Sequence, residues 1–330
     1  MRRREFITLL GGVTVVWPLS ARAQQTERMR RIGVLMQYSE SDPEGRIRAK
    51  ALEQTLQKFG WIQGRNLQVD YRWADGDGDR FRTHAAELVS LGEDAIVAVS
   101  SPAVKALQRE THTIPIIFTQ VSDPVAQGIV KNMARPGGIV TGFSNYDPAI
   151  SGKWLELLKQ AAPSVRRAAI VFNPKTAPYT RLYVRAIEAV APSMAVKVIT
   201  MPVHDDAEIE VAFTRHAREQ GGGLIVMTDT FTSVHRKQII ELAARLALPA
   251  IYPYRYYVVD GGLMSYGIDQ IQQYQGAAIY LDRILNGAKP GILPVQAPTK
   301  YQLMINLKTA KALGLAISES FLLRADELIE

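Results

Sequence analysis

At 330 residues the chain is long enough for two domains of ordinary size, each burying a core of its own. It has no cysteine, which excludes disulfides, thiol nucleophiles and cysteine metal sites. The formal charge of +7 falls to about +4 without residues 1–23, which carry Arg2, Arg3, Arg4 and Arg22 against Glu5; so small an excess argues against a nucleic-acid partner.

The chain opens with a basic head, Arg2-Arg3-Arg4. A short apolar run from Ile7 to Trp17, interrupted by Gly11 and Gly12, leads to a small-x-small site at Ala21-Arg22-Ala23. This run is too short to span a bilayer, so residues 1–23 are read as a cleaved export signal, and Arg3-Arg4 ahead of Phe6-Ile7 has the twin-arginine form. Lipid anchoring would need a cysteine at the cleavage point. The mature protein is therefore expected to be free in the exported compartment, with no membrane insertion after cleavage.

Beyond the leader, Arg31–Met36 predicts a buried strand. A helix over 44–59 follows, with Ile47, Ala51, Leu52, Leu56 and Phe59 at three- and four-residue spacing. Strands are expected at 67–71, 95–99, 114–118 and 140–143, and helices at 81–91 and after Pro102, where the missing amide hydrogen costs nothing. The alternation then restarts. Helices are expected at 149–162, 179–190, 209–218 and 233–246, and strands at 168–172, 195–200, 224–227 and 250–252. A helix over 271–285, a strand at 302–305 and short helices close the chain. Two runs of alternating strand and helix predict two parallel sheets with helices on both faces, an α/β architecture. Crossings near 144, 264 and 295 would join the lobes by three strands and allow hinge closure.

In an open parallel sheet the ligand sits beyond the carboxyl ends of the strands. The residues there are Gln37, Tyr38 and Ser39 after the first strand, Ser100 and Ser101 after the third, and the stretch 119–123 at the end of the fourth, with Thr119, Val121 and Asp123. Asn145 and Tyr146 follow the fifth. The second half supplies Asn173, Thr228, Asp229, Phe231 and Tyr254, then Tyr266 and Asp269. These groups hydrogen-bond or stack, without nucleophile–base spacing. Ser100 before a proline-opened helix is placed to cap it, and the free amides suit an anion such as a carboxylate. Asp229 or Asp269 could take an ammonium group, Asp229 alternatively capping the helix near Ser233. Tyr254, Tyr266 and Phe231 could form an apolar slot. The Asp75-Gly76-Asp77-Gly78-Asp79 run has Arg80 and Ala86 where a calcium loop needs glycine and glutamate. The five histidines lack metal-ligand spacing, and no phosphate or dinucleotide fingerprint is present, so neither metal nor cofactor is expected.

Several stretches together carry a resemblance: IGVL at 32–35, LQKFGWIQGRNLQVDYRWADGDGDR at 56–80, TIPIIFTQVSDPVAQGIVKNMARPGGIVTGFS at 113–144 and LPAIYPYRYYVVDGGLMSYGID at 248–269. ILNGAKPGILPVQAPTKYQLMINLKTAKALGL at 284–315 and RADELIE at 324–330 complete it. The chain resembles the solute-binding proteins of ABC importers, in the branch of tryptophan- and tyrosine-type binders related to leucine/isoleucine/valine-binding proteins. The resemblance implies a type I periplasmic-binding fold of two Rossmann-like lobes, each a parallel sheet flanked by helices. These would be residues 29–144 plus 265–294, and 145–264 plus 295–330. It further implies that Ser100, Ser101 and Thr119 hold a ligand carboxylate and that Asp229 takes its amine, the ligand being an aromatic or hydrophobic amino acid. A monomer in the periplasm of a Gram-negative cell, delivering ligand to an inner-membrane ABC permease, is the expected setting. A sensor subunit with the same cleft is the competing expectation, and an enzyme using Asp229 or Asp123 a more remote one.

Overall fold

Strands β1 (Arg30–Met36), β2 (Leu67–Trp73), β3 (Ala95–Val99), β4 (Ile116–Val121) and β5 (Val140–Ser144) form one parallel sheet in the order β2-β1-β3-β4-β5; helices α1 (Pro43–Lys58), α2 (Gly78–Ser90) and α3 (Ser101–Glu110) connect them in the computed structural model, which describes residues 28–330. The expected export signal at 1–23 lies outside those residues. Side chains alternate along β1. Ile32, Val34 and Met36 join a cluster with Leu52 and Leu56 on one face, and Leu35 joins Phe81, Leu88 and Leu107 on the other. Both faces are covered, which is why β3 reads as an unbroken apolar run and is buried throughout. Ile47, counted on the inner face of α1, is exposed; Gly45, Arg48, Ala49, Leu52 and Leu56 face inward instead.

The second lobe follows as α4 (Ile150–Ala161), β6 (Arg167–Phe172), α5 (Thr180–Val190), β7 (Lys197–Pro202), α6 (Asp206–Ala217), β8 (Gly222–Val226), α7 (Thr230–Val234), α8 (Arg236–Arg245), β9 (Ala250–Tyr252), α9 (Arg255–Val259) and β10 (Met264–Gly267). Helix α10 (Gln270–Leu285) returns to the first lobe, packing on α1 and against β4 and β5. The chain ends in the second lobe with β11 (Gln302–Asn306), α11 (Leu307–Ala312), α12 (Glu319–Leu322) and β12 (Glu327–Ile329). This sheet has the order β12-β11-β10-β9-β8-β6-β7 and is not wholly parallel, because β11 runs antiparallel to β10. A direct return from the crossing permits that pairing, whereas a parallel neighbour would need a longer connection. The helix expected over 233–246 is two helices meeting at His235, and a terminal strand, not a helix, finishes the chain.

Three segments cross between the lobes. Residues 145–149 lead out of β5, 268–269 lead from β10 into α10, and 297–301 lead into β11 after Gln296 bridges Phe143. The second and third crossings fall a few residues beyond 264 and 295, because Ser265, Tyr266 and Gly267 still pair with β11 and Val295 still packs in the first lobe's core. Gly267 is required where it stands, since a Cβ there would collide with the Pro253 carbonyl and the Tyr146 hydroxyl. That close approach fixes the backbone just ahead of Tyr254.

At the opposite edge of the first sheet Glu93 is buried with neither carboxylate oxygen hydrogen-bonded; the nearest cation, Arg31 Nε, is 3.9 Å away. Burial, reinforced by the charge of Asp70, pushes its pKa up to about 7. The folded state therefore binds this proton more tightly than the unfolded chain does. The associated stability is full below the ordinary glutamate range and is lost as pH rises to about 7. Denaturant midpoints measured between pH 4.5 and 7.5 should fall with rising pH by more in the wild type than in Glu93→Gln. Equal slopes would refute this assignment.

Candidate functional site

The first lobe presents the carboxyl ends of β1, β3 and β4 to the second. Two of these ends carry strained backbone: Ser100 after β3 has φ 98°, Gln120 in β4 has φ 58°, and Asp123 just beyond has φ 45°. Residues other than glycine hold such angles at a cost of about 1–3 kcal/mol each, and such strain concentrates where a ligand must be met. At Ser100 the register is fixed by its own amide, which donates to Thr119 O at 3.0 Å, while its carbonyl accepts from Val104 N at 3.2 Å and starts α3. Its hydroxyl does not cap the helix, contrary to expectation. With φ in this region, Ser100 Oγ is buried and makes no hydrogen bond. Thr119 Oγ1 beside it is likewise buried and unpartnered, and Ser101 Oγ accepts from Gln127 Nε2 at 2.9 Å. Proline at the second position of α3 adds no donor, and Ser101 and Pro102 bring the positive end of the helix to the cleft.

The facing wall comes from β8, α7 and the segment after β9. Tyr254 OH bonds Thr228 Oγ1 and accepts from Asn145 Nδ2 at 2.9 Å, and Asn145 Oδ1 is buried without a partner. Tyr179 OH donates to Thr228 O at 2.6 Å. Asp229 has three donors in its own lobe. Oδ1 accepts from Phe231 N, capping α7, and from Thr176 Oγ1, while Oδ2 accepts from Asn173 N at 2.8 Å. Burial nevertheless raises its pKa to about 6, since desolvation outweighs those donors.

Between these walls lies a narrow cleft, partly open to solvent and with a cavity volume of only about 10 Å³, lined by Gln37, Ser101, Gln120, Thr228, Asp229 and Tyr254 with Pro102, Thr176, Tyr179, Thr230 and Ser233. The lobes touch around it. Thr230 Oγ1 donates to Gln37 Oε1 at 2.9 Å, and Gln37 Nε2 donates to Gln120 Oε1 at 2.6 Å. Further out, the Arg236 guanidinium of α8 donates to both oxygens of Asp42 in the first lobe, at 2.7 and 2.8 Å, and its Nε donates to Asp260 at 3.0 Å. Arg48 of α1 lies over the ring of Tyr38 at 5.4 Å and, across the gap, over Tyr256 at 5.2 Å.

Of the residues singled out in the sequence, Gln37, Ser101, Thr228, Asp229 and Tyr254 line the cleft, Ser100 and Thr119 border it, and Asn145 bridges to it. Others lie elsewhere. Tyr38 is in the first lobe's core with its hydroxyl on Gln120, Ser39 pairs with Ser41 near the surface, and Val121 is core. Asp123 caps the turn at Ala126, Asp269 caps α10 at Ile271, and Asn173 supports Asp229 by its amide. Tyr146 donates to Pro253 O. The expected slot does not form: Tyr266 stacks on Tyr301 and Phe231 on His235. Thr176, Tyr179, Thr230 and Ser233 escaped the sequence reading, whereas Gln120 lies within the 119–123 strand end it singled out. Thr230 adjoins Asp229, and that position was its only signal.

The profile of the ABC transporter substrate binding protein family matches residues 36–329. The chain belongs to that family. It is 27% identical over 292 residues, 88% of this chain and 82% of the relative, to the tyrosine-binding protein of Clostridioides difficile. An ABC domain from Streptococcus pneumoniae, solved in complex with L-Trp, superposes with a TM-score of 0.83 at 27% identity, covering 91% of this chain and 99% of that one. The ligand-free, open structure of a substrate-binding protein with adhesive properties from Clostridium difficile covers 91% and 99% at 26% identity, with a TM-score of only 0.66. The fold is the type I periplasmic-binding one. With coverage and identity matched, the score is higher against the complex than against the open structure, and the lobes of this chain touch directly across the seam.

Cutting one partner out of a buried ion pair strands the other charge, at about 3–5 kcal/mol. That penalty falls on the closed form alone, where Arg236 and Asp42 are both nearly inaccessible. Arg236→Gln should therefore give the ligand-free protein a larger radius of gyration by X-ray scattering than the wild type, with the lobes still folded. An unchanged radius would show that the pair does not hold the lobes together.

Proposed function

We propose that this binding protein captures an amino acid between its lobes, without chemical change, and hands it to an ABC permease of the inner membrane from the periplasm. The observation that carries the reading is the pair of buried, unpartnered hydroxyls, Ser100 Oγ and Thr119 Oγ1, beside the amino end of α3. Buried polar groups ordinarily find partners, and a set of donors with none is suited to a carboxylate brought by a ligand. Asp229 supplies a negative charge on the facing wall; its three donors leave one lone-pair direction for an ammonium group. The named ligands of the relatives, tyrosine and L-Trp, support the amino-acid class. Closure follows from differential affinity, since carboxylate and ammonium can be held together only when both walls meet.

The periplasmic setting rests on the leader and on the family. Among the described residues no helix is long and apolar enough to cross a membrane, and no group of histidine and acidic side chains could hold a metal ion. Action as a monomer, and transport in preference to sensing, belong to the same reading.

Titration calorimetry against the twenty amino acids should find at least one that binds and is recovered unchanged. Ser100→Ala should weaken it about tenfold to a hundredfold, the worth of one charge-assisted hydrogen bond of about 1.5–3 kcal/mol. Affinity should also decline as pH falls through about 6, where Asp229 takes up a proton and no longer attracts the ammonium. Silence across all twenty, from folded and ligand-free protein, would dispose of the proposal.

A further inference from the structure

The aromatic rings near the cleft spend their faces on one another. Tyr254 stacks on Tyr256 with centroids 5.5 Å apart and packs against Tyr146 at 5.9 Å, Tyr179 packs against Tyr183 at 6.0 Å, and Phe231 lies on His235 at 4.0 Å. Tyr254 and Tyr179 turn hydroxyls, not ring faces, to the space between the lobes, and both hydroxyls are tied to Thr228. The apolar ring of an aromatic side chain arriving there would find hydroxyls and amides where it needs a stacking face.

The polar groups above the carboxylate seat form one chain. Gln37 follows β1 and Gln120 ends β4, with β3 and Ser100 between them in the sheet, and the two amides meet over that strand end at 2.6 Å. Thr230 joins from the other lobe. Gln120 is locked by more than its side chain. Its backbone amide donates to Gln273 Oε1 at 2.9 Å, and its Oε1 also accepts from Tyr38 OH at 3.3 Å. Each glutamine keeps an amide hydrogen with no partner closer than 3.4 Å. A ligand atom reaching this chain from a carboxylate at Ser100 would thus face amide donors within a short side chain's length.

Building on the proposed amino-acid reading, we infer that the preferred ligand carries a short hydroxyl- or carboxamide-bearing side chain and not an aromatic one, with Gln37, Gln120 and Thr230 as the residues that select it. A site built of groups that hydrogen-bond a ligand discriminates strongly against one that leaves them unpaired.

Calorimetry should place at least one of L-serine, L-threonine, L-asparagine and L-glutamine about tenfold or more tighter than L-tryptophan, L-tyrosine, L-phenylalanine and L-leucine. Two mild variants test the selecting residues. Thr230→Val keeps shape while removing the hydroxyl, and Gln120→Asn keeps an amide at a φ that asparagine tolerates. Each should shrink the preference by about tenfold, with the far-ultraviolet circular dichroism of a folded protein retained. Tightest binding of an aromatic or aliphatic amino acid would overturn this inference and leave the proposed function standing. A preference unaltered in both variants would overturn the role of the three residues, and silence from all eight ligands would overturn the inference whichever other amino acid binds.

Discussion

Arg236 reaches from the second lobe into the carboxylate of Asp42 in the first, with both groups almost out of water. Taking two charges out of solvent is expensive, and the attraction compensates only where geometry is good and the remaining donors are used. Here the fork meets both oxygens of Asp42, and Nε is spent on Asp260. Arg236 and Arg48 of the first lobe both lie over the Tyr256 ring, at 5.4 and 5.2 Å from its centre. Gln37 with Thr230, and Asn145 with Thr228 and Tyr254, extend the seam inward. The cleft, lined from both lobes, presupposes this apposition.

Inside the seam the two walls differ in kind. The second lobe's polar groups are largely satisfied by one another, and stacked tyrosines backed by Tyr146 and Trp154 hold them still. The first lobe keeps unpartnered hydroxyls on strained backbone at Ser100, and strain again at Gln120. Strain paid during folding need not be paid again on binding, so a rigid seat costs a ligand little entropy. The other wall carries the Asp229 carboxylate. Such a division of labour fits the capture and release proposed above.

Membership of the ABC substrate-binding family and the type I fold together account for the three crossings and the match to a liganded relative. They do not by themselves choose a ligand. That choice lies in side chains at strand ends, where relatives of modest identity are free to differ without disturbing the sheets. The lining here, rich in hydroxyls and amides, is a local property laid on a shared frame.

Alternating apolar runs and helical spacing were enough to read the two parallel sheets and their flanking helices, because burial on both faces writes itself into consecutive residues. Strand ends likewise pointed to Gln37, Ser101, Thr228, Asp229 and Tyr254. What sequence could not supply was orientation. Ser100 reads as a helix cap until its backbone is seen to turn the hydroxyl away, and Tyr266 and Phe231 read as a slot until each is found spent on another ring. The antiparallel β10–β11 pairing and the Arg236–Asp42 contact join residues far apart in the chain, and no local pattern encodes such a meeting. Sequence by itself determined the elements and their layering, since those follow from nearest-neighbour periodicity. Only the tertiary structure decided which polar groups face one another across the cleft, since that depends on backbone dihedrals at single residues and on how two separately folded lobes come together.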